Sequence, residues 1–92
     1  MFSISSPAVQ LYKEELGLKK GDSLQLFVRY AGTGLGFCLG VEPGLPENDD
    51  YVREIDGIRF FVKSDELWFV DQMSMDYDAS GENFSVELPS IA

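Results

Sequence analysis

The sequence predicts a mainly β fold with one N-terminal helix, closed into a compact barrel or sandwich. Three observations lead there. Apolar residues recur at helical spacing from Ala8 to Leu16, and they alternate with polar residues at a period of two in several segments after Gly21. The length, 92 residues, suits one small domain, and that many strands in so short a chain must curl or stack, with the helix laid across them.

Each element has a local reason. Ser5 or Ser6 can cap the helix, Pro7 suits its first turn, Ala8, Leu11, Tyr12 and Leu16 form one face for burial, and Gly17 supplies the stop. Leu24, Leu26, Val28 and Tyr30 then alternate with Gln25, Phe27 and Arg29 as a strand. From Ala31 to Gly40, the residues Gly32, Gly34, Gly36 and Gly40 share the even positions with Cys38, while Leu35, Phe37, Leu39 and Val41 occupy the odd ones. As a strand this has one apolar and one nearly bare face; strand glycines most often serve a sharp bend or a close approach of something else to the backbone. Its spacing fits no phosphate-binding loop.

Glu42 to Asp50, with Pro43, Gly44 and Pro46, reads as a loop-rich break. Ile58, Phe60 and Val62 alternate with Arg59, Phe61 and Lys63 as another strand. A short helical turn capped by Ser64 is expected at Ser64 to Leu67, with Trp68 and Phe69 assigned to the core. Phe84, Val86 and Leu88 alternate with Asn83, Ser85 and Glu87 as the closing strand. No repeat, linker or low-complexity tract interrupts the chain, so residues 1–92 read as a single domain.

Composition narrows function. With 45% apolar and 13% aromatic residues the chain is globular. Sixteen acidic against seven basic side chains give a net charge of −9, unfavourable for nucleic acid or anionic membranes. The acid is concentrated in residues 42–92, with 13 acidic and three basic side chains, and hydrophobic residues continue through that half, so it is a folded acidic surface. The absence of histidine removes Ser/His and Cys/His nucleophile pairs, the neutral-pH imidazole base and imidazole metal ligands, and the chain is not expected to be an enzyme. Met1 to Ser6 has no signal-peptide pattern and no apolar run approaches a membrane span, so the cytoplasm is the expected compartment.

Two groups of residues suggest chemistry. Cys38 cannot form an internal disulfide, is too few for a structural zinc site, and has no Lys or Arg near it in sequence to lower its pKa. Asp76, Asp78, Ser80, Gly81 and Glu87 match positions 1, 3, 5, 6 and 12 of a calcium loop. A hairpin turn through Ala79, Ser80 and Gly81 accounts for the same residues. Glu47, Asp49 and Asp50, or Asp65 and Glu66, are either a hard-cation site or solvated surface.

Taken in order, the helix from Ser6, the strand ending Phe27-Val28-Arg29, the glycine-rich turn, the Gly57 to Val62 strand, Leu67, the Asp76-Tyr77 pair and the closing Asn83 to Pro89 segment form a series that resembles the HesB-like family of A-type iron-sulfur carriers. Val28-Arg29-Tyr30-Ala31-Gly32 looks like that family's strand into its Gly-Cys-Ser-Gly turn, Asp76-Tyr77 like its Ile-Asp-Tyr segment, and Phe84 to Ser90 like its closing strand. The resemblance implies a β-rich pseudobarrel, frequent oligomers and a role in delivering iron or iron-sulfur clusters. It also places Thr33 where the family has its first ligand cysteine, with the Cys-Gly-Cys tail expected beyond Ala92. Cys38 is then the one soft ligand for iron or a cluster, and Thr33 a replaced one.

The leading expectation is an iron-sulfur cluster assembly or iron-binding protein of this family, degenerate in ligation. The alternative is a non-enzymatic module whose acidic half docks a protein partner with a basic surface while the glycine face packs a second subunit as a homodimer. A third is a calcium or magnesium site on Asp76, Asp78, Ser80 and Glu87.

Overall fold

The computed structural model describes residues 2–30 and 37–89, and it carries the expected β-rich architecture with an N-terminal helix. In chain order the elements are β1 (Ser3–Ile4), α1 (Ser6–Leu16), β2 (Ser23–Tyr30), β3 (Phe37–Pro43), β4 (Tyr51–Ile55), β5 (Ile58–Val62), a 3-10 turn (Ser64–Glu66), α2 (Leu67–Val70), β6 (Ser74–Asp78) and β7 (Asn83–Glu87). They form two sheets, one in the order β1-β6-β7 and the other in the order β3-β2-β5-β4.

Helix α1 forms for the reasons legible in its sequence. The Ser5 hydroxyl accepts from the Ala8 amide, Pro7 lies in the first turn, and Gly17 closes the helix at φ 65°, where its amide donates to the Lys13 carbonyl. The buried face is rotated from the expected one, because Val9 is fully buried beside Ala8 while Leu16 is 43% exposed. The shift follows from where the sheet lies: α1 packs on β6, so the early turns are covered and the last one projects past the sheet.

Strand β2 joins the larger sheet together. It pairs antiparallel with β3 from Leu24 to Tyr30 and parallel with β5 through Ser23 to Gln25. Leu24 and Leu26 point into the core, with Val28 packed at its margin. On β3, Leu39 and Val41 pack against the same core, and Cys38 and Gly40 fall on the other face. There the expected bare surface is occupied from within the chain. A Cβ at Gly40 would lie 2.4 Å from the Phe27 ring and 2.7 Å from Arg29 Cδ. Gly40 therefore serves close packing against Phe27. The other glycines of this stretch, Gly32, Gly34 and Gly36, lie outside the described residues.

Four further expectations need correction. Glu42 and Pro43 belong to β3, so the loop begins at Gly44. Tyr51–Ile55 forms a strand that the period-two reading passes over, because its burial is confined to its ends. The available signal was Asp56-Gly57: these two residues adopt φ 51° and 86° and join Ile55 to its partner Ile58 as a two-residue hairpin turn. The short helical turn is present, but Ser64 does not cap it; Lys63 stands at that position and no side chain caps the turn. Phe69 is buried as expected, whereas Trp68 is half exposed, since a four-residue helix turns only one side to the core.

The core gathers residues from both sheets and both helices: Ile4 and Met75 from one sheet, Leu24, Leu26, Ile58, Phe60 and Val62 from the other, Ala8 and Val9 from α1, and Phe69 and Val70 from α2. Phe2 precedes β1 and is buried with them. Gly40→Ala is expected to destabilise the fold by about 1–3 kcal/mol, since the new methyl overlaps Phe27. Urea denaturation measures this, and Phe27→Ala in the same chain should recover most of the difference; equal losses with and without Phe27 would refute the close-packing role.

Candidate functional site

The β2–β3 ladder sets Arg29 directly opposite Cys38. Directly opposed residues of an antiparallel pair hold their Cβ atoms about 4.5–5.5 Å apart, so the guanidinium stem and the thiol share one surface. Nothing near Cys38 in sequence announces a cation; pairing supplies one from nine positions away. Cys38 is a free, exposed thiol. Behind this surface, the Glu66 carboxylate accepts the Val28 amide at 2.7 Å, filling the β2 edge beyond the reach of β5 and holding the strand next to Arg29. Thr33, the second expected cluster-site residue, lies outside the described residues.

A cluster needs several thiolates, usually four, and Cys38 is the one cysteine in 92 residues. No group of three or more Cys, Asp or Glu side chains disposed to hold a metal exists among the described residues. The donor set does not fit a cluster on one chain.

The calcium-loop candidates form a hairpin instead. Asp76 and Asp78 lie on the outer face of β6, and the connection to β7 begins at Ala79. The Asp78 carboxylate accepts from the Ser80 hydroxyl at 2.7 Å and from the Ser80 amide at 3.1 Å, contacts that hold it below the ordinary aspartate pKa. The Asp76 carboxylate accepts from the Tyr77 amide. Glu87 pairs with Ser74, at the opposite end of the ladder from the Asp78–Asn83 pair. At about 3.3 Å per residue Glu87 lies roughly 13 Å along the strand from Asp78 and roughly 7 Å from Asp76, so it does not converge with both aspartates on one ion.

The other acidic runs do come together. Glu47, Asp49, Asp50, Asp65 and Glu66 line one cleft around Lys63. The Lys63 ammonium meets Glu47 at 2.6 Å and Asp50 at 3.1 Å, and the Asp50 carboxylate also accepts the Glu47 amide at 2.8 Å. Asp50 has 2% of its side chain exposed, so it anchors the loop, while Glu47 is the solvated partner. Sequence separation hid this juxtaposition.

The family model described as iron-sulphur cluster biosynthesis matches residues 1–91. The chain belongs to this family. Among its relatives, a protein of Bacillus subtilis strain 168 named "Pyruvate dehydrogenase inhibitor" is 42% identical over 72 residues, 75% of this chain and 76% of that protein. An uncharacterized protein of Staphylococcus saprophyticus is 30% identical over 83 residues, 84% of this chain and 85% of that one. The fold matches the crystal structure of Escherichia coli SufA, involved in biosynthesis of iron-sulfur clusters, with a TM-score of 0.71, 24% identity, and coverage of 96% of this chain and 80% of that one. It also matches IscA with its [2Fe-2S] cluster, with a TM-score of 0.75, 18% identity, and coverage of 97% and 86%. Among the described residues of this family member, no helix is long and apolar enough to cross a membrane.

The Asp50–Lys63 pair has a pH signature. The Glu47 amide, and after it Lys63, keep the Asp50 carboxyl below its ordinary 3.8, against an opposing effect of burial. Its contribution is therefore complete above that value and is lost as pH falls through the lower folded pKa. Bonds from Lys63 to Glu47 and then Asp50 raise the lysine above its ordinary 10.5, so its contribution is complete below that pH and is lost as pH rises through the higher folded pKa. Asp50→Asn should lower Tm at neutral pH and give a shallower fall in Tm from about pH 5 downward. Thermal melts across pH check this; parallel acid limbs for the two proteins would refute it.

Proposed function

We propose that this member of the iron-sulphur cluster biosynthesis family acts by binding a protein partner, that the partner is a pyruvate dehydrogenase, and that binding lowers its activity. The observation that carries the reading is the donor set: the family fold is retained while 92 residues contain one cysteine. A fold hosts different functions on the same frame, so the frame without its thiolates favours recognition over cargo. The choice of partner rests on the Bacillus subtilis relative, whose name states inhibition of that enzyme. The acidic second half suits a partner with a basic surface, for which it supplies steering at low salt. On this reading the protein has no catalytic turnover of its own and works in the cytoplasm.

A second reading is favoured by one observation, the exposure of Cys38 opposite Arg29. In a homodimer two such thiols hold iron or a cluster together with donors from a partner protein. Anaerobic incubation with iron and sulfide separates the readings: the chain should remain colourless and bind no stoichiometric metal, and visible absorbance abolished by Cys38→Ser would establish the second reading. For the first, adding the chain to pyruvate dehydrogenase from the same organism should lower the rate of NADH formation in a saturable manner, more weakly at high salt. An unchanged rate with the chain in excess would exclude that partner.

A further inference from the structure

Beside the acidic cleft the surface carries a hollow of a different character. It is lined by Phe2, Tyr51, Leu67, Val70 and Asp71, and its volume is about 80 Å³. Phe2 and Val70 are fully buried and form its floor, the Phe2 ring being held edge-on to Tyr51 at 6.0 Å. Leu67, 38% exposed, forms the rim, and Trp68, 49% exposed, stands next to it in α2. These two residues place adjacent apolar surface at the mouth of the hollow.

Chain continuity joins the hollow to the acidic cleft at two points, since Asp50 precedes Tyr51 and Glu66 precedes Leu67. In that cleft five carboxylates surround one ammonium, which is itself engaged by Glu47 and Asp50. Asp50 and Glu66 are engaged by Lys63 and the Val28 amide, but the cleft keeps a net negative charge with Glu47, Asp49 and Asp65 exposed, and that charge beside an apolar hollow selects the occupant. A second copy of this chain, at net −9, would bring like charges together at the rim. A neutral apolar segment would leave the carboxylates unanswered.

We infer that the hollow formed by Phe2, Tyr51, Leu67 and Val70 receives one aliphatic side chain of a protein partner, presented on a segment whose flanking lysines or arginines meet the carboxylates of the adjoining cleft. The size agrees: a hollow of about 80 Å³ is on the scale of one small aliphatic side chain. The aliphatic anchor supplies the desolvated centre of the contact, Trp68 and Leu67 shield it from water, and the charges at the rim set orientation and encounter rate. The inference deepens the proposed function, because it rests on the reading that this chain works by binding a protein partner, and it names the surface and the chemistry of the segment.

The probe is a short synthetic peptide with one leucine flanked on each side by lysines, titrated into the full chain. Binding should shift the amide resonances of Tyr51, Leu67, Trp68 and Val70 and change Trp68 fluorescence. Replacing the peptide leucine by glycine should weaken binding about tenfold, as removal of a buried anchor does. Equal binding of the two peptides, shifts mapping to another face, or self-association that Leu67→Asp abolishes would each overturn the inference. Leu67→Asp and Trp68→Ser, each with circular dichroism confirming a folded chain, complete the test in the dehydrogenase assay. Inhibition by the wild type that both variants retain would overturn the hollow and leave the proposed function standing. Peptide binding at the hollow with no inhibition by the wild type would remove the dehydrogenase and leave the hollow standing.

Discussion

The contact on which this structure depends is the Phe27 ring lying in the space that a side chain at Gly40 would fill. It allows one register of β2 against β3. Slipping either strand by one residue would exchange its faces, sending Leu39 and Val41 out of the core and bringing Cys38 in. With that register set, Leu24 and Leu26 enter the core, Ser23 to Gln25 meet β5, and the Asp22 carbonyl accepts the Arg59 amide at 2.9 Å as the parallel pair begins. The Arg29–Cys38 pairing, the main chemical feature of the surface, is a by-product of the same register.

The two sheets are tied by different means. The smaller one starts at the N-terminus, where β1 pairs in parallel with β6, so residues from opposite ends of the chain close the core over Phe2 and Ile4. Tyr12 on α1 then meets Phe84 at 5.7 Å and Phe60 at 6.5 Å, linking β7 to β5 through the helix. A frame held by such long-range contacts is the one on which a member of the iron-sulphur cluster biosynthesis family carries one cysteine in these 92 residues.

Legibility in the sequence followed the range of the forces. The helix and its two ends could be read because capping by Ser5 and the left-handed turn at Gly17 act within a few residues. The apolar alternation of β2 and β5 could be read because Leu24 and Leu26 on one and Ile58, Phe60 and Val62 on the other share a buried face, although Phe61 is buried on the opposite side of β5. Strand β4 could not, since its middle residues face solvent and leave no period, and only the Asp56-Gly57 turn marks it. Trp68 was misplaced for a related reason: composition says that tryptophan is mostly buried, yet the direction of a single helical turn decides which of two adjacent aromatics gets the interior.

Sequence alone determined the family resemblance, the charge, the lack of imidazole chemistry and the shortage of soft ligands, because these are inventories of residue types and short motifs. Tertiary structure alone decided which of those residues meet. It separated Glu87 from Asp78, though a spacing pattern had grouped them, because strand pairing sends Glu87 to the opposite end of the ladder. It joined Glu47 and Asp50 to Lys63 and placed Arg29 beside Cys38, though the sequence had kept them apart. Electrostatics and coordination depend on distance through space, and in a fold built from long-range strand pairing that distance is set by register and not by position in the chain.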